Sequence, residues 1–231
     1  MMSRTFMKHT IAVVLFFGLF TGCEARRQTE QTTFEAPEAE YVLAIAVDFS
    51  GSFIDKMAND GEAYRFTMDV IDRYMRERPS DEGRLVITQL SATDDPLLWE
   101  GPPMQLRKDF ASADDFRNFV LARNDPNGSR IFEGLSSTLS YLDGHRAIRN
   151  GAKPALFVLS DMADTSDDAD EQEAEISLKF KEFGQSGGTV GMYYVHQQLL
   201  PRWQQTLAKS GMRDYVVECD IVTRPTLPEF Q

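Results

Sequence analysis

The sequence predicts an α/β fold in which a doubly wound, mainly parallel sheet carries helices on both faces and one antiparallel strand at its edge. Residues 41–47 and 154–159 form unbroken apolar runs, which are typical of strands buried on both faces of a parallel sheet. Segments with apolar residues at helical spacing alternate with such runs along the chain. This alternation predicts one domain, residues 41–222, because each helix can cover the sheet between two strands.

The first part of this domain begins with the strand at residues 41–47, which we expect near the centre of the sheet. Pro79 ends the amphipathic helix that follows, whose apolar residues recur at spacings of four, three and four: Tyr64, Met68, Ile71 and Met75. Residues 84–90 predict a second strand. Residues 94–109 contain three prolines and a glycine, which predicts an irregular hairpin or a short edge strand.

Two helices and a second buried strand come next. Ser112 predicts the N-cap of the first helix, because acidic residues occupy the turn that follows it. The second helix has one mostly apolar side: Ile131, Leu135, Thr138, Leu139 and Leu142. Residues 154–159 then form the buried strand, which is followed directly by Ser160 and Asp161.

The last third of the domain predicts two further helices and two further strands. Residues 167–175 are strongly acidic and begin a helix with apolar residues at helical spacing: Ile176, Phe180 and Phe183. Residues 189–195 predict a strand, residues 199–209 a helix and residues 215–221 a last strand. In a doubly wound sheet, ligands bind beyond the carboxyl ends of the strands, so we searched the loops there for functional residues.

The first 22 residues have the pattern of a secretory signal peptide. Two basic residues precede an apolar run of ten residues, 11–20, which is about half of what an untilted helix needs to cross a bilayer. The segment Leu19-Phe20-Thr21-Gly22-Cys23 resembles the lipobox of bacterial lipoproteins, with Phe20 at a position where that family usually has Leu. The resemblance implies removal of residues 1–22 and lipidation of Cys23.

The lipobox resemblance also implies a location in the bacterial cell envelope, with the protein held to a membrane through the lipid on Cys23. Glu24, rather than Asp, follows the cysteine and resembles the pattern for delivery to the outer membrane, where the domain would face the periplasm. Residues 23–40 are polar and predict a flexible tether of about 20 to 25 Å. Residues 223–231 form a C-terminal tail.

The charge of the chain excludes one class of partner. The chain carries 36 acidic and 24 basic residues, which gives a formal net charge of -12. The signal segment contains two basic and no acidic residues, so its removal leaves 22 basic against 36 acidic residues and a charge of -14. Nucleic-acid binding requires a basic face that displaces counterions, so we expect no nucleic-acid partner.

A compact group of oxygen donors follows the first strand. Asp48, Ser50 and Ser52 lie at alternate positions in Asp-Phe-Ser-Gly-Ser, and Gly51 allows a tight turn that can bring their oxygen atoms together. Carboxylate and hydroxyl oxygens are ligands for Mg2+, Mn2+ or Ca2+, whereas Zn2+ prefers histidine and cysteine. A turn or an N-cap is the alternative explanation for such a short polar segment.

This Asp-x-Ser-x-Ser segment at the end of a first apolar strand resembles the metal-ion-dependent adhesion site (MIDAS) of von Willebrand factor type A (VWA) domains. That family completes its site with a threonine from a second loop and an aspartate after a later strand. Ser129 stands at the threonine position, and Asp161 stands at the aspartate position, where Met162 replaces the family's usual glycine. The resemblance covers residues 41–221.

The resemblance implies a site for Mg2+, or for Mn2+ or Ca2+, with five ligand positions: Asp48, Ser50, Ser52, Ser129 and Asp161. By analogy, Ser50 and Ser52 coordinate the ion directly and Ser129 does so directly or through water. The two aspartates bind through water or hydrogen-bond the hydroxyls. The family's function implies a protein partner that offers an Asp or Glu carboxylate to the ion, and it implies no enzymatic activity.

Two other functions were weighed. A metal-free interaction scaffold with a vestigial MIDAS is the main alternative, and a metal-dependent hydrolase is the weaker one. The sequence contains no Gly-x-Ser-x-Gly segment, and the aspartyl-phosphatase pattern Asp-x-Asp has Ser50 at its third position. His145 is expected at a helix end on the surface and His196 at the end of a strand, with a place on the ligand-facing side as a second option for His196. The acids of residues 164–175 are expected to form a solvated helix start rather than a Ca2+ site.

The lipid anchor has a direct test. Cys23→Ser removes the thiol that would carry the lipid, so we expect the variant to lose lipid labelling and to leave the membrane fraction. Metabolic labelling with a fatty acid, followed by fractionation, measures both. A variant that keeps its label and its membrane association contradicts the lipobox assignment.

Overall fold

A computed structural model of the chain describes residues 39–51, 53–58, 61–77, 83–90, 95–122, 130–166, 169–219 and 227–228. All of them belong to one compact unit, Glu35–Gln231. The predicted signal peptide, Cys23 and most of the tether and C-terminal tail lie outside the described residues and stay predictions. Among the described helices, none has the length and apolar character needed to cross a bilayer.

The described strands form one six-stranded sheet. They are β1 Tyr41–Val47, β2 Gly83–Gln89, β3 Leu97–Gly101, β4 Lys153–Leu159, β5 Thr189–Tyr193 and β6 Tyr215–Val217. Their order across the sheet is β3-β2-β1-β4-β5-β6. All neighbours are parallel except β3, which runs antiparallel to β2 at the edge. This arrangement confirms the predicted fold class.

Helices connect these strands. They are α1 Ile54–Met57, α2 Glu62–Glu77, α3 Pro103–Asp109, α4 Ala113–Leu121, α5 Ile131–Gly144, α6 Arg146–Arg149, α7 Ala169–Gln185 and α8 Leu200–Lys209. The five that the hydrophobic spacing predicts are α2, α4, α5, α7 and α8. The short helices α1, α3 and α6 were not predicted; in α3 the prolines that suggested only a turn occupy the N-cap and the first helical position, where a missing N–H is tolerated.

Two strands end at least two residues before the predicted position. Strand β5 ends at Tyr193, because Tyr194 adopts the left-handed conformation with φ of 68° and leaves the ladder. Strand β6 is confined to Tyr215–Val217, shorter than the predicted 215–221, and residues 220–221 lie outside the described part of the chain. Strand β2 runs from Gly83 to Gln89, one residue earlier at each end than the predicted 84–90.

The sheet has a separate hydrophobic core on each face. Alternate residues of β1 point to opposite sides: Val42, Ala44 and Ala46 pack with α5, α7 and α8, whereas Leu43, Ile45 and Val47 pack with α1 to α4. Six of the seven residues of β1 are buried, since both faces of the strand are covered. This double coverage explains why β1 and β4 appear in the sequence as unbroken apolar runs.

The close approach of α5 to the sheet depends on Gly134. A Cβ atom added there would lie 2.4 Å from the backbone oxygen of Leu90, just beyond β2. Gly144, at the other end of the same helix, has no such neighbour within 4 Å. The same substitution at the two glycines therefore compares a crowded position with an open one in a single helix.

We expect Gly134→Ala to lower the free energy of unfolding by about 1–3 kcal/mol, because the methyl group forces α5 away from rigid backbone. Gly144→Ala should leave stability unchanged or raise it by up to about 1 kcal/mol, in line with helix propensity. Denaturant unfolding of both variants measures the difference. Equal effects of the two substitutions would show that the α5 contact is looser than the distance indicates.

Candidate functional site

The candidate site lies at the carboxyl ends of β1 and β4, where the strand order reverses. The chain goes from β1 to β2 on one side, and β4 pairs with β1 on the other side. Val47 is paired with Leu159, so both strands end at the same level, and the Asp48 N–H donates to the Leu159 oxygen at 2.9 Å. Ligands of doubly wound sheets bind at such a switch point.

Asp48 organises this edge through both oxygen atoms of its carboxylate. Oδ1 accepts the Ser50 N–H at 2.8 Å, and Oδ2 accepts the Ser160 hydroxyl at 2.8 Å. Asp48 has no exposed surface and Ser160 has none either. The carboxylate therefore shapes the loop after β1 and joins it to the end of β4.

The surroundings of Asp48 favour a positive charge close by. Burial raises the pKa of the Asp48 carboxyl above its ordinary value, and the negative charge of Asp161 raises it further. Hydrogen bonds from Ser50 and Ser160 oppose this rise. Either a proton or a nearby cation would lower the energy of the buried Asp48 carboxyl group next to Asp161.

Ser50 supplies a buried hydroxyl without a protein partner. The residue is 2% exposed, and its Oγ forms no hydrogen bond of ordinary geometry with the described residues. The hydroxyl is near enough to Asp48 to lower the pKa of that carboxyl, yet the contact is not a well-formed bond. An unsatisfied buried hydroxyl costs about 1–3 kcal/mol, so this oxygen is suited to an additional ligand.

The turn after β4 places Asp161 at the same edge. Asp161 is half-buried, and its Oδ1 accepts the Ala163 N–H at 2.9 Å. The Met162 N–H donates to Ser160 Oγ at 2.8 Å, and Met162 has a left-handed φ of 61°. This conformation explains why glycine is usual at that position of the resembled motif, because a side chain there costs about 1–2 kcal/mol.

Asp164 has a different role from the predicted one. Its Oδ2 accepts the Phe132 N–H at 2.8 Å and its Oδ1 accepts the Ser166 N–H at 2.7 Å. Asp164 thus caps the first turn of α5, whose own N-cap residue, Arg130, provides no side-chain bond. The acidic run predicts a solvated helix start for this residue, whereas Asp-x-Ser is itself a signal for the Asx turn that forms here.

The two histidines outside the signal segment lie in different environments. His196 is exposed at the candidate edge, and its backbone N–H donates to the Asp161 backbone oxygen at 2.9 Å. His145 Nε2 instead lies 3.1 Å from Glu100 Oε1, and the side chain is 8% exposed, so it is packed rather than on the surface. The hydrogen bond from His145 is the main reason that the pKa of Glu100 is lowered.

Three of the five predicted metal ligands are described, and the fold brings them to one edge: Asp48, Ser50 and Asp161. Ser52 and Ser129 lie outside the described residues, and their positions stay predictions. No cluster of three or more histidine, cysteine or acidic side chains suitable for a metal occurs in the part of the chain that the structure describes. Any ion at this edge would therefore need hydroxyl oxygens besides the two carboxylates.

Comparison with known proteins identifies the fold. No protein-family model matches the sequence, and no curated protein matches it significantly. The crystal structure of the SpRpn10 VWA domain matches with 10% identity and a TM-score of 0.52, over 78% of this chain and 88% of that one. The pilus adhesin SpaC from Lactobacillus rhamnosus GG matches with 12% identity and a TM-score of 0.54, over 79% of this chain and 28% of that one. These likenesses confirm, for the fold, the resemblance inferred from the sequence.

Ser160 provides a test of this edge that needs no metal. Ser160→Ala removes the donor to Asp48 and the acceptor for the Met162 N–H, both inside the protein. We expect the free energy of unfolding to fall by about 1–3 kcal/mol in metal-free buffer. Ser140→Ala, on the exposed side of α5, should change it by no more than about 0.5 kcal/mol. Denaturant unfolding compares the two, and a neutral Ser160→Ala would contradict a structural role for the bond.

Proposed function

We propose that this chain, which has the fold of a VWA domain, binds a divalent cation at the switch point and uses it to hold an acidic side chain of a protein partner. The proposed ion is Mg2+, or Mn2+ or Ca2+. The proposed ligands are Asp48, Ser50, Ser52, Ser129 and Asp161. The observation that carries the proposal is the buried Ser50 hydroxyl, which lies beside the buried Asp48 carboxylate and forms no hydrogen bond of ordinary geometry with any described residue.

The described donors suit such an ion. All of them are carboxylate or hydroxyl oxygens, which Mg2+ and Ca2+ prefer. The raised pKa of Asp48 and the proximity of Asp161 indicate an excess of negative charge that a divalent cation would balance. When bound, the ion would supply a positive charge and an exchangeable ligand position for a carboxylate.

The proposed ligands differ in their exposure, and this difference indicates different roles. Asp48 is fully buried and bonded at both oxygens, so it orients Ser50 and the β4 turn rather than contacting a partner. Asp161 is half-buried and lies nearer to solvent. Asp164 fixes the start of α5, and Ser129 is separated from that helix only by Arg130 in the sequence. The cap therefore holds the first turn of the helix that follows Ser129 in the sequence.

The place of the site on the domain fits a membrane-tethered receptor. The tether joins the domain before Tyr41, at the start of β1, whereas Asp48 follows the end of that strand. Seven residues of strand span roughly 23 Å, at about 3.3 Å per residue. The described ligands at this edge therefore lie about the length of β1 away from Tyr41, the first residue of that strand.

A metal-free scaffold and a metal-dependent hydrolase remain as alternative functions. The fold shared with a pilus adhesin supports binding over catalysis. No histidine that the structure describes contacts Ser50 or Asp48; His145 pairs with Glu100 at the antiparallel edge. An acyl-transfer arrangement of serine, histidine and acid therefore has no support among the described residues.

The metal proposal predicts a Mg2+-dependent rise in stability. At a Mg2+ concentration about 100 times the Kd, binding to the native state alone adds about 2.7 kcal/mol to the free energy of unfolding. We expect this rise for the full mature chain and for the control Asp143→Asn, whose exposed acid lies far along α5. Ser50→Ala and Asp161→Asn should show little or no rise. Thermal unfolding in Mg2+ and in EDTA, together with metal analysis of dialysed protein, measures the effect.

Partner binding completes this test. The immobilised chain should retain an envelope protein in Mg2+ and release it in EDTA, and Asp161→Asn should not retain it. A partner retained equally in EDTA, with no change in stability on adding Mg2+, would support the metal-free scaffold. Metal-dependent turnover that is lost in Asp161→Asn would support the hydrolase.

A further inference from the structure

A cleft of about 360 Å3 opens beside the candidate metal site. Its walls come from the turn that follows Asp161, the start of α5 and the start of α8: Met162, Ala163, Phe132, Leu199 and Trp203 contribute most of them. This volume is at the lower end of the range for ligand pockets, about 300–1,000 Å3, and has room for one large side chain.

The floor of the cleft is aromatic and apolar. Phe132 and Trp203 are stacked with ring centroids 5.3 Å apart, and both are buried. Met162 closes the floor on the side of the metal site and is buried as well. Such a surface favours an aliphatic or aromatic side chain over a polar one.

The charged side chains Arg202 and Asp164, which line the cleft, already form hydrogen bonds within the protein. Arg202 donates to Glu173 Oε2 at 2.7 Å and 2.9 Å and lies over the Phe132 ring, 5.7 Å from its centroid. Asp164 accepts N–H groups from Phe132 and Ser166. Arg202 is therefore already paired with an acid, and both oxygen atoms of Asp164 already accept hydrogen bonds. An uncharged side chain in the cleft leaves all of these bonds intact.

The mouth of the cleft is continuous with the turn that carries Asp161. Ala163, His196 and Gln198 are exposed around it. The backbone N–H of His196 donates to the Asp161 backbone oxygen. The ring atom His196 Nδ1 accepts the backbone N–H of Gln198 at 3.3 Å. These bonds hold the residues around the mouth next to the turn that carries Asp161.

We infer that this cleft receives a bulky apolar side chain that the protein partner carries one or two residues away from its acidic residue. The acidic residue in this inference rests on the proposed function, whereas the apolar preference rests on the cleft alone. The partner is therefore recognised by two chemistries, a carboxylate at the ion and an aromatic or large aliphatic group on the Phe132 and Trp203 floor. Phenylalanine is the simplest probe of the second.

The cleft can be tested without metal. In 15N-labelled full mature chain, millimolar N-acetyl-phenylalanine amide should shift the amide signals of Ala163, His196 and Gln198, whereas N-acetyl-alanine amide should not. Ala163→Trp places a large side chain at the exposed mouth and should abolish the response; Gln198→Trp offers a second blocking variant. Ala208→Trp, on the exposed side of α8, is the matched control and should respond like the unmodified chain. Equal responses to the two probes, or equal responses of the blocking and control variants, would overturn the inference.

A second set of probes separates the cleft from the metal site. In Mg2+, N-acetyl-Asp-Phe amide should bind about tenfold more tightly than N-acetyl-Asp-Ala amide, as expected for burial of one aromatic side chain. N-acetyl-Asn-Phe amide should keep the cleft response and lose the dependence on Mg2+. If Mg2+-dependent binding persists but N-acetyl-Asp-Phe amide binds no better than N-acetyl-Asp-Ala amide, the inference about the cleft is wrong. If the Phe preference persists but binding changes neither with Mg2+ nor when Asp is replaced by Asn, the metal proposal is wrong and the inference about the cleft is supported.

Discussion

The hydrogen bond from Ser160 to Asp48 connects the two central strands at their carboxyl ends, and the arrangement of the candidate site depends on it. The bond joins residues 112 positions apart in the sequence, and neither residue has exposed surface. The same Ser160 hydroxyl accepts the Met162 N–H, which turns the chain after β4 and orients Asp161. Asp48 in turn holds the Ser50 N–H. One carboxylate and one hydroxyl thereby define both loops.

This edge combines several local energetic costs that the two hydrophobic cores offset. Three such features occur within a few residues of the same two strand ends. They are a buried acid with a raised pKa, a buried hydroxyl that forms no well-aligned hydrogen bond with the described residues, and a left-handed methionine. Each would destabilise a fold that had no other use for it, and each is compatible with a ligand site. The Met162 side chain recovers part of its backbone cost, because it is buried in the core that covers α5, α7 and α8.

The sequence was sufficient to predict the fold class and to place Asp48, Ser50 and Asp161 at one edge of the sheet, because both depend on short-range patterns. Buried parallel strands appear as apolar runs, and Asp48, Ser50 and Asp161 follow directly from where those runs end. Asp164 was misassigned, because its partner is the Phe132 N–H, 32 residues away, and no local pattern specifies that contact. The cleft was missed for the same reason: its floor joins residues of α5 and α8, and its neutrality depends on the Arg202–Glu173 pair between α8 and α7. Helix α3 was missed because its prolines occupy the only helical positions that tolerate them.

The acidity of the chain makes the two recognition chemistries of the proposed complex complementary. With the signal segment removed, 22 basic and 36 acidic residues give a net charge of -14, which repels an acidic partner over about one Debye length, roughly 8–10 Å, and slows its approach. Within that distance, a bound divalent ion would attract the partner's carboxylate, but its charge would be partly balanced by Asp48 and Asp161. Apolar contact with the Phe132 and Trp203 floor is insensitive to this electrostatic balance, since the charges that border the cleft are paired within the protein. An acidic domain can thus hold an acidic partner when the ion determines where the carboxylate binds and the cleft supplies affinity that the net charge does not oppose.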